Sequence, residues 1–269
     1  MIQWLVAALA LGVAAAPALA QAAAENRPAF AVASIRPANA DGPVSMGVGN
    51  GQGGGHNLTL KALLAVAYRL QEFQVTGGPA WAASQRFDVE GKTEDRGADP
   101  GRLRSMLQSL LDDRFQLRLH RETKAASAYA LVAGKGGPKI KLAQDQTSPP
   151  VNGPAPPGAG PNHGAIRLGR GSLIGNAVMM SLFARMLAQR LDRMVVDRTG
   201  LTGRFDINLQ WTPVGELPYG PGGNPLPPAD TSGPSIFTAI QEQLGLKLES
   251  TRTTVEFLVI DHADKPGEN

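Results

Sequence analysis

The sequence contains no cysteine. That absence excludes a disulfide framework, a lipid-modified N-terminal cysteine, a thiolate nucleophile and a cysteine-ligated zinc, so stability must come from an ordinary packed core. Runs of one charge sign are also lacking. Twenty-six Lys and Arg stand against 23 Asp and Glu, for a formal charge of +3, and the basic residues are scattered along the chain. A nucleic-acid surface gathers its cations on one face, so no nucleic-acid partner is expected. The zinc-peptidase pattern HExxH and the nucleophile pattern GxSxG are absent as well, and no cofactor is expected.

What is present begins with an apolar segment. Residues 1–20 (MIQWLVAALALGVAAAPALA) hold no charged side chain and end in Ala18-Leu19-Ala20, a small-x-small sequence of the kind signal peptidase cuts after. Cleavage near Ala20 would place the mature protein in the periplasm or outside the cell. No Lys or Arg precedes the apolar stretch, and retention as an uncleaved anchor is the rival reading. Pro17 and Gly12 argue against a spanning helix, and no second apolar run of spanning length follows, so the mature chain should not cross a membrane.

Three segments rich in Pro and Gly, 42–55, 149–161 and 213–234, interrupt the periodic sequence and read as loops or linkers. Whether the first and last become ordered on binding stays open. The middle one separates two stretches that match in order. Asn57 to Leu64 parallels Asn176 to Phe183, Arg86-Phe87-Asp88-Val89 parallels Arg204-Phe205-Asp206-Ile207, Leu107 to Leu119 parallels Ile236 to Leu248, and Ala128 to Val132 parallels Val255 to Val259. Four matches in one order indicate an internal duplication. The expected organisation is a signal peptide at 1–20, a first repeat unit at 21–145, a linker at 146–165 and a second repeat unit at 166–269.

Each unit repeats one alternation of periods. Leu60, Leu63, Leu64 and Ala67 recur at helical spacing behind Asn57 or Thr59 as N-cap, and Met179, Leu182, Phe183 and Met186 do so behind Asn176. Two short alternating runs follow, then a helix (Pro100 to Asp112; Pro234 to Gln243), then two more strands (Phe115 to Leu119 and Tyr129 to Ala133; Leu246 to Leu248 and Val255 to Ile260). Phe30 to Pro37 adds an N-terminal strand to the first unit. The predicted fold is α+β, made of two helix-strand-strand-helix-strand-strand units related by a pseudo-twofold, with sheets covered by helices on one face.

The blocks FAVASIRP, GGPAWAASQRFDVEGK, LLDDRFQLRLHRETK, VVDRTGLTGRFD and GPSIFTAIQEQLGLKLE with LVIDHADKP cover nearly the whole mature chain. Together they resemble a soil-associated exported family of uncharacterised function, first noted in acidobacterial genomes. Related domains stand at the C-terminus of membrane metallopeptidases similar to β-lactam sensors. The resemblance implies an extracytoplasmic sensing or binding role and carries no activity.

Candidate chemistry is sparse. His120 and Glu122 lie two apart on a strand and so project from one face, as an acid/base pair or two metal ligands would. A zinc site needs a third ligand from His56, His163, His262 or Asp264, and no metal is expected. Asp261 beside His262 is a possible imidazole-orienting pair without a nucleophile motif. The glycine run 47–55 precedes a helix, but no Gly-Lys-Ser/Thr directly follows it, which argues against a phosphate cradle. Asn57-Leu58-Thr59 is formally a glycosylation acceptor and reads as a helix cap. Arg86/Asp88 and Arg204/Asp206 occupy matching places in the two units, which favours a structural role. Trp81 and Trp211 at strand ends are the candidates for ligand stacking. The expected function is that of an exported, non-catalytic binding, sensory or scaffold protein, its partner an envelope protein, a glycan or a small molecule, with the groove between the units as contact surface. The alternatives are a hydrolase or metal-dependent enzyme using His120 and Glu122, and an envelope assembly module that pairs through a strand edge.

Overall fold

The computed structural model describes residues 27–39, 42–147, 163–213 and 233–267. The apolar segment 1–20 and its cleavage site, the proline-rich segment 149–161 and nearly all of 213–234 lie outside the described residues. The fold is α+β, with four helices and three four-stranded sheets among the described residues.

The chain enters as β1 (Val32–Pro37), followed by a hairpin of β2 (Ser45–Gly49) and β3 (Gln52–Thr59). Segment 42–55 is therefore mostly strand, which corrects its reading as a loop or linker. Asn50 (φ 52°) and Gly51 (φ 72°) supply the two left-handed residues that a tight two-residue hairpin turn requires. Two further glycines fit the pleat where a side chain would collide: a Cβ on Gly53 or Gly91 would strike the Phe30 ring.

Helix α1 (Leu60–Tyr68) starts at Thr59, whose Oγ1 accepts from the Ala62 amide at 3.1 Å. Then come β4 (Val75–Gly77), β5 (Arg86–Lys92) and α2 (Pro100–Phe115). Asp99 caps α2 by accepting from the Gly101 and Arg102 amides, and Pro100 takes the first position, where it sacrifices no bond. Phe115 ends this helix instead of opening a strand, and Gln116 (φ 48°) turns the chain.

Next runs β6 (Arg118–Ala133), and its counterpart is β12 (Leu246–His262). Each replaces two expected strands by one. The residues between the apolar ends, Arg121 to Ser127 and Glu249 to Thr254, contain no Gly or Pro, so nothing stops the strand although little there is buried. Between the two long strands lie β7 (Lys141–Leu142), β8 (Ile166–Leu168), β9 (Ser172–Met179), α3 (Met180–Leu191), β10 (Val195–Asp197), β11 (Arg204–Gln210) and α4 (Ile236–Leu244). The residue before α3 is Met179, with no side-chain cap, so Asn176 does not cap it.

One outer sheet has the order β1-β5-β3-β2 and the other β7-β11-β9-β8. The central sheet is β10-β6-β12-β4, in which β4 runs parallel to β12 and β10 parallel to β6. The ladder between β6 and β12 is antiparallel, from Leu246 opposite Ala133 to His262 opposite Arg118. Two main cores flank it. One gathers Leu63, Phe87, Leu107 and Phe115 with Leu258 and Ile260 of β12, and the other gathers Phe183, Leu187, Phe205 and Leu244 with Leu131 of β6. Each such side chain, fully buried, contributes about 1.5–3 kcal/mol. The two long strands thus tie the cores together, and the middle of their ribbon is largely exposed.

Candidate functional site

The ladder disperses the expected catalytic residues. His120 Nδ1 lies 2.8 and 2.9 Å from the two carboxylate oxygens of Asp261, at an exposed position. Glu122 instead accepts from Lys124 at 2.9 Å, and His262 faces Asp264 at 3.2 Å. The structure therefore brings His120 to Asp261 but not to Glu122. His163 is remote, with Nε2 3.0 Å from the Thr147 carbonyl. Among the described residues no three His, Asp or Glu side chains gather in a way that could hold a metal ion.

The tryptophans pack inward. Trp81 stacks on Phe115, with centroids 6.1 Å apart, and meets Phe87 edge-on, while Trp211 is only 8% exposed, under the Arg190 guanidinium. Packing buries the Trp211 ring, while Trp81 remains half-buried.

Arg86 and Asp88 close on the bulge of β3. Asp88 Oδ1 accepts from the Asn57 amide at 2.8 Å, and Arg86 donates to the Asn57 carbonyl at 2.7 Å. Asn57 has φ 57°. In the other outer sheet, Asp206 accepts from the Ala177 amide at 2.9 Å and Arg204 donates to the Ala177 carbonyl at 3.1 Å, Ala177 having φ 50°. Each pair grips both backbone polar groups of a left-handed residue, where an L side chain is strained by about 1–2 kcal/mol.

An open cavity lies on the outward face of the first outer sheet. It is an open cleft of about 580 Å³ along β2, β3 and β5. Antiparallel neighbours directly opposite share a face, so the register settles which side chains border it. Glu90, Gly54 and Gly47 form one row across the sheet, and Lys92, Gln52 and Gly49 the next. Glycine thus leaves bare backbone as the floor. Along one wall His56 sits between two carboxylates, Nδ1 at 3.7 Å from Asp88 and Nε2 at 3.9 Å from Glu90, and Lys92 Nζ lies 3.4 Å from Glu90. Acid and base alternate there, so the wall offers donors and acceptors without a strong field of one sign. The glycines do not lead directly into a helix, because the strand continues to Thr59 before α1 begins, and this arrangement is no phosphate cradle. Sequence reasoning missed Glu90 and Lys92 as site residues and weighed His56 only as a remote metal ligand. The available signal was Asn50-Gly51 flanked by Met46 and Val48, the pattern of a hairpin.

A second recess, of about 130 Å³, sits between α1 and α3 and is bordered by Met46, Ala65, Val66, Leu70 and Gln189. No described helix is long and apolar enough to cross a membrane.

Residues 61–263 match the model of DUF3738, described as a protein of unknown function. The chain belongs to the DUF3738 family. Comparison with curated proteins and with solved structures finds no match. The DUF3738 match takes in Glu90, Lys92, both long strands and the second outer sheet, whereas the glycine hairpin of β2 and β3 precedes it.

Proposed function

We propose that the chain is an exported, non-catalytic binding protein of the cell envelope that receives its ligand in the cleft of the first outer sheet. The observation that carries this reading is the cleft itself: about 580 Å³ of open space over a glycine floor, beside His56, Glu90 and Lys92. A concave site with a few convergent polar groups is the usual form of a ligand site. The recess between α1 and α3 is much smaller and plays the lesser part.

The scaffold that presents the cleft is read as an internal duplication with a pseudo-twofold axis. One shift along the chain carries Phe115 onto Leu244, Gln116 onto Gly245 and Tyr129 onto Leu258; Gln116 and Gly245 are the left-handed residues that end α2 and α4. The same shift carries Ala125 onto Thr254, and these two face each other in the ladder. Val75 pairs with Leu258 as Val195 pairs with Tyr129. On this reading Asn57 corresponds to Ala177 and Ala128 to Phe257, not to Asn176 and Val255. Each unit contributes its short parallel strand to the long strand of the other.

Thermal unfolding of the full chain and of Gly47→Phe, against panels of envelope peptides, glycans and small metabolites, tests the binding reading. A Cβ at Gly47 meets no described atom within 4 Å, so the variant should fill the cleft without disturbing the fold. A ligand that raises the Tm of the native chain and not that of Gly47→Phe supports the cleft. A ligand that stabilises both equally contradicts it.

A further inference from the structure

Glycine inside a strand costs about 0.5–1 kcal/mol relative to alanine. Most glycines of the first outer sheet have a reason within the molecule. Gly51 makes the turn, and Gly54 holds φ 133° with its missing Cβ against the Val89 carbonyl. The space for a Cβ on Gly55 is taken by the Ser45 carbonyl, and the Phe30 ring takes it for Gly53 and Gly91. Gly47 and Gly49 have no such reason: nothing described lies within 4 Å of a Cβ at either, and neither has a positive φ. Both belong to β2, which ends its sheet and borders the cleft. A strand glycine without internal cause marks the close approach of a ligand or another backbone.

The register says what kind of approach the strand admits. In a two-residue hairpin the pair that closes the turn exchanges both backbone bonds, and such pairs alternate along the ladder. Gly49 with Gln52, Gly47 with Gly54 and Ser45 with His56 are these pairs, so the amides and carbonyls of Met46 and Val48 point away from β3 toward the open edge. Met46 also borders the recess beside Ala62, Ala65, Val66 and Leu70. The two cavities therefore meet on opposite faces of one edge strand, whose outer side has no strand partner among the described residues.

We infer that β2 is a docking strand, and that the ligand of the cleft is an extended segment of a partner protein that adds to the sheet there. The inference rests on the cleft as the binding site. The segment pairs with the backbone of Met46 and Val48. Its residue opposite Gly47 is large, aromatic or aliphatic, and leans over the glycine floor. Its residue opposite Met46 is a medium aliphatic that enters the recess of about 130 Å³. Alternate side chains in two pockets are the specificity element of strand addition. The other outer edges differ: β1 ends at Pro37, and β8 carries Ile166 and Leu168 where β2 carries glycines.

The test is fluorescence anisotropy of the full chain with an array of labelled seven-residue peptides that alternate threonine with Phe, Tyr, Leu or Val. The tightest peptide is remade with single N-methyl groups. Methylation of alternate amides should weaken binding about tenfold or more, and methylation of the intervening amides should change it little. Val48→Pro, which removes an outward amide, should match the loss while its Tm confirms the fold. Equal sensitivity at every amide, or undiminished binding to Val48→Pro, overturns strand addition. If no peptide binds but a glycan or small molecule stabilises the native chain and not Gly47→Phe, strand addition fails and the cleft stands. If no probe of any class shows sensitivity to Gly47→Phe, both fail.

Discussion

The two outer sheets share a skeleton and differ in one feature. In each, an Arg and an Asp two residues apart hold a left-handed residue by its amide and carbonyl, at Asn57 in one sheet and Ala177 in the other. Among the described residues the first carries the glycine hairpin beside an open cleft, whereas in the second Leu168, Leu173 and Ile166 pack against the core. What both sheets contain, the fold needs in both places. What one sheet has alone is the better candidate for function. This contrast separates the Arg/Asp pairs, which serve the backbone, from the hairpin, to which the proposed reading gives the binding role.

The sharpest break of the comparison is between two glycines paired with each other. Gly54→Ala forces a Cβ into the Val89 carbonyl at φ 133° and should cost about 3 kcal/mol or more. Gly47→Ala meets nothing within 4 Å and should stabilise by about 0.5 kcal/mol by restricting the unfolded chain. Urea unfolding midpoints measure both. Equal effects would mean that Gly47 is as structural as Gly54.

Next in size are the Arg/Asp pairs. Asp88→Ala and Asp206→Ala each orphan a backbone amide at a bulge and should each lose about 1–3 kcal/mol. A loss confined to one of them would break the equivalence of the two sheets. Smaller still is the effect of Ala177→Gly, which relieves a left-handed alanine and should gain up to about 1 kcal/mol. Asn57→Gly should gain less, because asparagine tolerates that conformation better.

The smallest expected effect is on pH dependence. Burial is the main cause that raises the Asp112 carboxyl above its ordinary range; Arg27 opposes this and Asp113 adds to it. A carboxyl raised in the folded state holds its proton more tightly there than in the unfolded chain. Its contribution to stability therefore falls as pH rises from the ordinary carboxylate range through the raised value. Asp112→Asn should flatten that decline above the ordinary carboxylate range, as read from urea midpoints. Gln241 takes the corresponding place before the end of α4 and does not titrate, so Gln241→Asn should leave the profile unchanged.

Much of the scaffold was legible in the residues. Thr59 and Pro100 marked helix starts, and the recurrence of Arg-Phe-Asp placed β5 and β11 in matching roles. Three features were not, each for a physical reason. The long strands run through polar residues with no hydrophobic alternation to report them, because ladder bonds need no buried side chain. The match at Asn57 was misaligned by one residue, since a left-handed bulge residue is asparagine in one sheet and alanine in the other. The glycine hairpin looked like a linker because composition counts entropy and does not see where a Cβ would collide. The site was less legible than the fold: Glu90 and Lys92 are ordinary strand residues until the register sets Glu90 in a row with Gly54 and Gly47, and Lys92 in a row with Gln52 and Gly49.

Amide hydrogen exchange tests the central claim most directly, with residues 45–49 and 166–168 compared in the full chain, free and saturated with the tightest array peptide. The account predicts that the Met46 and Val48 amides slow about tenfold or more on binding, while those of Ile166 to Leu168 keep their free rates. Protection that appears in the second sheet, or at neither strand while the peptide is bound, would contradict the assignment of function to the glycine hairpin.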